Sequence, residues 1–432
     1  MRFKASQIAA AVGGTLTGED VWLEGATQDS RLVTRACLFV PLIGRRNGHE
    51  FIQSAMDRGA GAFLTSEEVN FGPAIRVDDT SAALKTLASV ARHSLDGPVV
   101  GITGSVGKTS TKDLTKSILA RVGPVHASPS SYNNEIGVPL TLLGASRIGP
   151  LVLEFGARRQ GDIGLLCEIG RPDVGVLTTI AAAHTSEFGS LDAVAETKGE
   201  LFRCLPPDGC AIFNADVPEV VTQATFARCR KLSFGYKGEV RARNVEIDDE
   251  LRATFWLESP WGKTELKLSA RGIHMVPNAL SAAAVGLVLG APLEEVADGL
   301  SDGPISPLRM QLATASSGFQ VLNDTYNANP PSMVAALRAL AALPVSGRRI
   351  AFLGMMAELG ERAVAEHLSI TQCAVDLGIH IVPIDTELYG VGRVRTLEDA
   401  ECEFLLTEDD AVLVKGSRVV GLEVLADRLL HS

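Results

Sequence analysis

The sequence predicts an α/β chain of three domains. These are a small N-terminal α/β domain over 1–95, a central parallel-sheet domain with an antiparallel edge over 96–303, and a C-terminal α/β domain of Rossmann-like alternation over 304–432. Three observations carry the prediction. The 432 residues exceed what one core organises, and a domain size of about 150 residues divides them into about three. From Val99 onward, short apolar runs alternate with helical periodicity, the pattern of parallel strands joined by crossover helices. Ser301-Asp302-Gly303-Pro304 has the composition of a linker.

The elements follow in order. Ile8 to Val12 reads as a short helix capped by Ser6, Cys37 to Pro41 as a strand and Phe51 to Gly59 as a helix. Met1-Arg2-Phe3-Lys4 resembles a basic signal-peptide head, but the apolar segment after it is stopped by Gly13-Gly14 and followed by Glu19-Asp20. Val99 to Ile102 is a buried-strand run. A glycine-rich turn comes next, and Leu114, Ile118 and Leu119 mark a helix face. The alternation recurs at Leu151 to Leu153, Asp162 to Ile169, Val174 to Thr178, Leu191 to Phe202 and Ala211 to Phe213. Between Val240 and Leu268 the strands read as antiparallel, with turns near Asp248-Asp249 and Trp261-Gly262. Helical runs from Asn278 to Leu289 and from Leu293 to Leu300 lead to the linker. Beyond it, strands are expected at Val321-Leu322, Ile350 to Leu353, Ile381-Val382 and Val412 to Val414, with helices such as Ser332 to Leu343 between them.

Composition narrows the function. Hydrophobic residues at 46% and charged residues at 21% are ordinary globular usage and exclude a disordered or fibrous role. A net charge of −11 repels polyanions, so no nucleic-acid partner is expected and any anionic ligand must be held locally. The most apolar stretch, Ala279 to Leu293, is broken by Ser281, Gly286, Gly290 and Pro292, so no membrane span is expected. Seven cysteines without a CxxC pair fit reduced cytoplasmic thiols. The expected state is a cytoplasmic monomer.

Thr103-Gly104-Ser105-Val106-Gly107-Lys108-Thr109 lies between a strand and a helix, where backbone N–H groups and a helix N-terminus cradle phosphates. The GxxxxGK[ST] spacing would need glycine at 102. Ile102 stands there and Gly101 is one place early, so the loop is a shortened variant. The plain alternative is a tight glycine turn with a chance lysine; the strand-to-helix setting favours nucleotide binding and a central domain like that of a P-loop ATPase. Gly104, Ser105 and Gly107 would then frame the phosphates and Lys108 would pair with the β- and γ-phosphates. Thr109 would ligate Mg²⁺, with Ser110 beside it.

With this short form of the loop the sequence resembles the Mur ligases, ATP-dependent amide-forming enzymes of peptidoglycan synthesis. Asp29-Ser30-Arg31, Ser131-Tyr132-Asn133-Asn134-Glu135-Ile136-Gly137-Val138-Pro139, Ala183-His184 with Phe188-Gly189-Ser190, and Thr197-Lys198-Gly199-Glu200 fall in family order. Asp324-Thr325-Tyr326-Asn327-Ala328-Asn329-Pro330, Glu358-Leu359-Gly360 and Lys415-Gly416-Ser417-Arg418 extend the likeness to the C-terminal part. NNEIGVP and YNANP resemble the MurF branch, which couples D-alanyl-D-alanine to a UDP-N-acetylmuramoyl tripeptide.

The resemblance implies site roles. ATP would phosphorylate the tripeptide carboxylate, and the amine would attack the acyl phosphate, with Lys108 and Mg²⁺ offsetting the clustered anions. Glu154 at a strand end and His184 would be magnesium ligands, and Lys198, carbamylated into an anion, would ligate or orient the metal. Read without the family, these are an exposed carboxylate, a satisfied structural histidine and a solvated helix lysine paired with Glu196 or Glu200. Asn278 would reach the adenine, Arg309 the γ-phosphate and Asp324 the ribose; the plain readings are a helix cap and a surface ion pair. Asn327 and Asn329 would meet the incoming dipeptide, Asn133 and Asn134 the sugar-peptide, and Ser30 and Arg31 the UDP moiety, although such residues also make ordinary turns and polar loops.

Some residues depart from the family pattern. Gly354-Met355-Met356 lacks the acid of the usual Gly-Asp-Met, Leu308 precedes Arg309 where glycine is common, and Met275 replaces an asparagine after His274. These departures bear on the identity of the amine more than on ATP use. The rival readings are a MurE-type or polyglutamate-adding ligase, which NNEIGVP argues against, and a noncatalytic nucleotide switch, which would not need Glu154, His184 and Lys198 together.

Overall fold

The computed structural model describes residues 1–129, 132–181, 190–304, 306–391, 393–400 and 405–431. At its centre is a six-stranded parallel sheet in the order 230–234, 210–214, 174–177, 99–103, 151–154, 126–127. Val99–Thr103, Leu151–Glu154 and Val174–Leu177 are buried along their whole lengths, as strands covered by helices on both faces must be. The connections leaving 99–103 and 174–177 run to opposite sides of the sheet. Such a reversal opens a crevice at the strands' carboxyl ends, where open α/β sheets bind ligands.

The antiparallel strands 241–247, 252–259 and 262–271 form a three-stranded sheet of their own, joined to the central sheet through one parallel bridge, Phe234 to Val240. Alternation explains why the face, more than the edge, makes the contact. Ala253, Phe255 and Leu257, with Leu266, Leu268 and Ala270, fill one buried cluster with the helix Met275–Val288. The next helix runs Leu293–Asp302, so half of the expected linker is helical and the extended part begins at Gly303.

The C-terminal sheet has the order 311–314, 320–323, 411–415, 349–353, 380–383, antiparallel at its first pair and parallel elsewhere. The N-terminal sheet has the order 15–17, 74–76, 62–65, 38–39, 26–27, and a short antiparallel pair joins 2–4 to 22–24. The first helix is Ala5–Val12 with Lys4 at its N-cap. Ser6 is therefore not the cap: its N–H and hydroxyl both donate to Asp20 at 2.9 Å. Among the described residues no helix is long and apolar enough to cross a membrane.

Candidate active site

The phosphate loop bridges the strand Val99–Thr103 and the helix Lys108–Val122. Two of its glycines are required by geometry. Gly104 has φ +150°, and a Cβ there would stand 1.9 Å from Thr178 Oγ1; Gly107 has φ +86°, and a Cβ would stand 2.3 Å from Asn278 Oδ1. The neighbouring strand end pins the loop, since Ser105 N–H donates to Thr179 O at 2.9 Å and Thr178 Oγ1 donates to Val106 O at 2.6 Å. The first-turn N–H groups of the helix have no intrahelical acceptor. Ser105 through Ser110 line a cleft of about 1500 Å³ that also takes in residues of the C-terminal part.

Glu154 ends its strand beside this loop and is 5% exposed, so it is no surface carboxylate. Thr109 Oγ1 donates to its Oε2 at 2.8 Å and Asn133 Nδ2 to its Oε1 at 2.9 Å. Lys198, on the helix Leu191–Cys204, is buried at the same cleft. The solvated-lysine reading fails on that burial and on its partners. Glu200 accepts the N–H groups of Gly161 and Gly164, both at 2.8 Å, and no bond to Lys198 Nζ is seen among the described residues. Burial first, and then repulsion from Lys108, brings the Lys198 ammonium down to about 7. Burial also lowers Lys108, with Glu154 opposing and Arg309 assisting; its Nζ donates to Gly104 O at 2.8 Å. His184 lies outside the described residues.

The C-terminal part supplies the facing wall. Arg309 stacks over Tyr326 at 4.0 Å, and its buried Nε has no hydrogen-bond partner among the described residues. It is not the ion-pair partner of Asp324, whose carboxylate takes Lys415 Nζ at 2.5 Å. Lys415 also donates to Asn327 O at 2.9 Å. Asn329 caps the helix Pro330–Ala342, its Oδ1 accepting from Ser332 N–H at 3.0 Å. Asn134 Oδ1 accepts from Ile136 and Gly137. Both side chains thus spend their oxygens on turns while lining the cleft. Asn278 sits inside the first turn of its helix, where His274 holds the N-cap, so it is not a cap.

The comparisons with known proteins bear directly on this cleft. Residues 102–286 match the Mur ligase middle domain, and residues 308–418 the Mur ligase, glutamate ligase domain. The UDP-N-acetylmuramoyl-tripeptide–D-alanyl-D-alanine ligase of Mycobacterium tuberculosis (strain ATCC 25618 / H37Rv) is 38% identical, over 98% of this chain and 97% of that protein. The chain belongs to the Mur ligases, in their MurF branch. The ligase of the same name from Escherichia coli (strain K12) is 35% identical over 97% and 96% of the two chains. A crystal structure of MurF from Acinetobacter baumannii superposes with TM-score 0.89 at 28% identity, covering 100% of this chain and 99% of that one. MurF ligase from Thermotoga maritima, solved in complex with ADP, gives 0.81 at 27% identity, covering 94% and 97%. A UDP-N-acetylmuramoyl-L-alanyl-D-glutamate–2,6-diaminopimelate ligase gives 0.55 at 16% identity, a likeness of fold alone.

In this MurF-type chain the cleft gathers Lys108, Glu154, Lys198, Asn278, Arg309, Asp324, Asn133, Asn134, Asn327 and Asn329. Ser30 and Arg31 do not line it. They form a short 3₁₀ turn where Arg31 Nη2 meets Asp29 at 2.7 Å. Among the described residues the lining carries, besides Lys198, seven Lys/Arg (Lys108, Arg158, Arg159, Arg271, Arg309, Lys415, Arg418) against five Asp/Glu (Glu135, Glu154, Asp162, Asp324, Glu358). A net negative protein thereby offers a locally positive cleft, which suits anionic substrates. Sequence reasoning gave no role to Lys415 or Tyr326. A lysine closing the apolar run Ala411 to Val414 was the available signal for the first. Leu308 has φ +63°, a conformation that would suit the glycine the resemblance leads one to expect there.

Proposed function

We propose that the chain uses ATP to join the carboxylate of a UDP-N-acetylmuramoyl tripeptide to the amine of D-alanyl-D-alanine, through an acyl phosphate. One observation carries the reading: the phosphate loop, the buried Glu154 and Lys198, and the Arg309-Asp324 segment converge on one cationic cleft. The residues fit a nucleotide, because the glycine loop has no room for side chains and Arg309 Nε is a buried donor awaiting an acceptor. They also fit Mg²⁺. Thr109 and Glu154 present hard oxygens, and no cation pairs with Glu154 among the described residues.

Thr109, Glu154, His184 and Lys198 as its carbamate would hold the ion, which supplies charge neutralisation between phosphate and carboxylate when bound. Lys108 and the first-turn N–H groups, framed by Gly104, Ser105, Gly107 and Ser110, would bind phosphate oxygens and favour the charge that develops during transfer. Arg309 would orient the γ-phosphate, Asn278 the adenine and Asp324 the ribose. Asn133 and Asn134 would hold the sugar-peptide, and Asn327 and Asn329 the dipeptide. Ser30 and Arg31 would contact UDP. In this scheme residues 1–95 bind the UDP substrate, 96–303 bind ATP, and 304–432 bring the amine and close over the nucleotide. Charged nucleotide substrates and free cysteines support a cytoplasmic site of action, and the chain is proposed to act as a monomer.

The test is amine selection with ATP, magnesium and a UDP-muramoyl tripeptide, read by ADP release and product mass. D-Alanyl-D-alanine should be favoured over any single amino acid by at least roughly tenfold, because a lone amino acid leaves buried polar groups unpaired. ADP release with one amino acid added, and no dipeptide product, would end the amine assignment and leave the ligase assignment standing.

A further inference from the structure

The segment entering the C-terminal part runs along the helix that starts at the phosphate loop. Gly303 lies against that helix so closely that a Cβ would stand 2.7 Å from Ser117 Oγ, and its carbonyl accepts from Ser269 Oγ at 2.7 Å. Ser306 then donates its backbone N–H to Asp113 Oδ2 at 2.9 Å. Three residues later Arg309 reaches the cleft wall shared with Lys108 and Thr109. Ser117, Asp113 and Thr109 follow one another at four-residue spacing, so they share one face of the helix. Gly303 and Ser306 therefore meet that face at successive turns towards the phosphate loop.

Asp113 is itself held. Lys112 Nζ lies 2.9 Å from Asp113 Oδ1, with the two side chains only 5% and 11% exposed. The same ammonium donates to Ser128 O at 3.0 Å, and Ser128 Oγ accepts the backbone N–H of Glu154 at 3.3 Å. A continuous chain of contacts thus leads from the carboxylate strand end to the segment carrying Arg309. On the other side of the peg, Leu308 and Met310 adopt φ +63° and +48°, a left-handed conformation that side-chain-bearing residues keep only when neighbours enforce it.

We infer that Asp113 is a positioning residue: by holding the Ser306 N–H it sets where Arg309 stands against the phosphate loop. The inference rests on the reading of Arg309 as a nucleotide-facing group, so its test is a double-mutant cycle between the two. Asp113→Ala should lower kcat/KM for ATP roughly tenfold, the effect of losing one hydrogen bond to a charged group. Asp113→Asn keeps an acceptor for Ser306 and should recover most of the loss. In an Arg309→Ala background, Asp113→Ala should cost less than about twofold more, because the group it positions is gone. Unfolding midpoints are measured in parallel, and if Asp113→Ala melts well below the parent, Asp113→Ser takes its place in the cycle. An equal loss from Asp113→Ala in both backgrounds, or an Asp113→Asn enzyme as impaired as Asp113→Ala, overturns the assignment while the Arg309 reading stands. Parental turnover in Arg309→Ala alone overturns both.

Discussion

Lys198 offers the sharpest test of the site's chemistry. At pH 7 a lysine titrating at about 7 is neutral about half of the time, whereas an ordinary lysine is neutral about once in three thousand. Burial at this cleft therefore raises the supply of free amine on the order of a thousandfold. That amine can attack the carbon of dissolved CO₂, forming an N–C bond and releasing a proton, so that an anionic carbamate replaces a cation beside Lys108. Depleting CO₂ and bicarbonate from the buffer should lower ligation reversibly, and the loss should deepen as pH falls through about 7, where protonation removes the amine. Lys198→Ala should reduce turnover by at least about a hundredfold, the scale of removing one charge-stabilising group, and a short carboxylate such as acetate should restore part of it. ADP release and product mass report the rates, and ¹³C-labelled bicarbonate reports the carbamate directly. Rescue by a small amine but not by a carboxylate, together with no response to CO₂ removal, would refute the reasoning.

Gly107→Ala should weaken ADP binding by roughly ten- to thirtyfold in calorimetry, because φ +86° costs a non-glycine residue about 1–2 kcal/mol and the new methyl displaces Asn278. His367 should make the chain lose stability in mild acid. Burial lowers its pKa, so below about pH 6.5 the unfolded chain takes the proton first and the folded state loses ground as pH falls. The unfolding midpoint should drop between pH 7.5 and 5, and His367→Asn should flatten that drop.

Most of the central sheet was legible because its strands are unbroken apolar runs and its helices keep a 3.6 period, and both signals are local. The phosphate loop was legible for the same reason. Lys198 was legible only through the family resemblance, because by spacing alone a helix lysine between Glu196 and Glu200 looks solvated until the packing of its helix is known. Asn329 and Asn134 were legible in kind, since the turn chemistry that made them ambiguous is what the structure gives them. The edge strand Gln311–Thr314 was missed because three of its four residues are polar or small and largely exposed, leaving no buried alternation to read. Ser6 illustrates a wrong local inference, because a distant carboxylate, Asp20, competed successfully for its hydrogen bonds.

The departures from the family pattern fall where backbone contacts fix the chain. The loop around Met355 is held at five points among the described residues: Gly354 N–H donates to Lys415 O at 2.9 Å, Tyr389 OH to Gly354 O at 2.9 Å, Ser417 N–H to Met355 O at 3.0 Å, Met356 N–H to His367 Nε2 at 2.9 Å, and Ala357 N–H to Ser417 Oγ at 2.8 Å. None of these uses the side chain of residue 355. Where the resemblance leads one to expect an acid, Met355 carries no charge, and the loop's course is set by its neighbours. Leu308 behaves in a related way, keeping a glycine-like conformation between Ser306, tied to Asp113, and Met310, whose N–H is held by Asp324 Oδ1 at 3.2 Å. In both places the course of the chain is carried by the backbone and its partners, so the identity of the side chain at 308 or 355 does not set the wall that faces the phosphate loop.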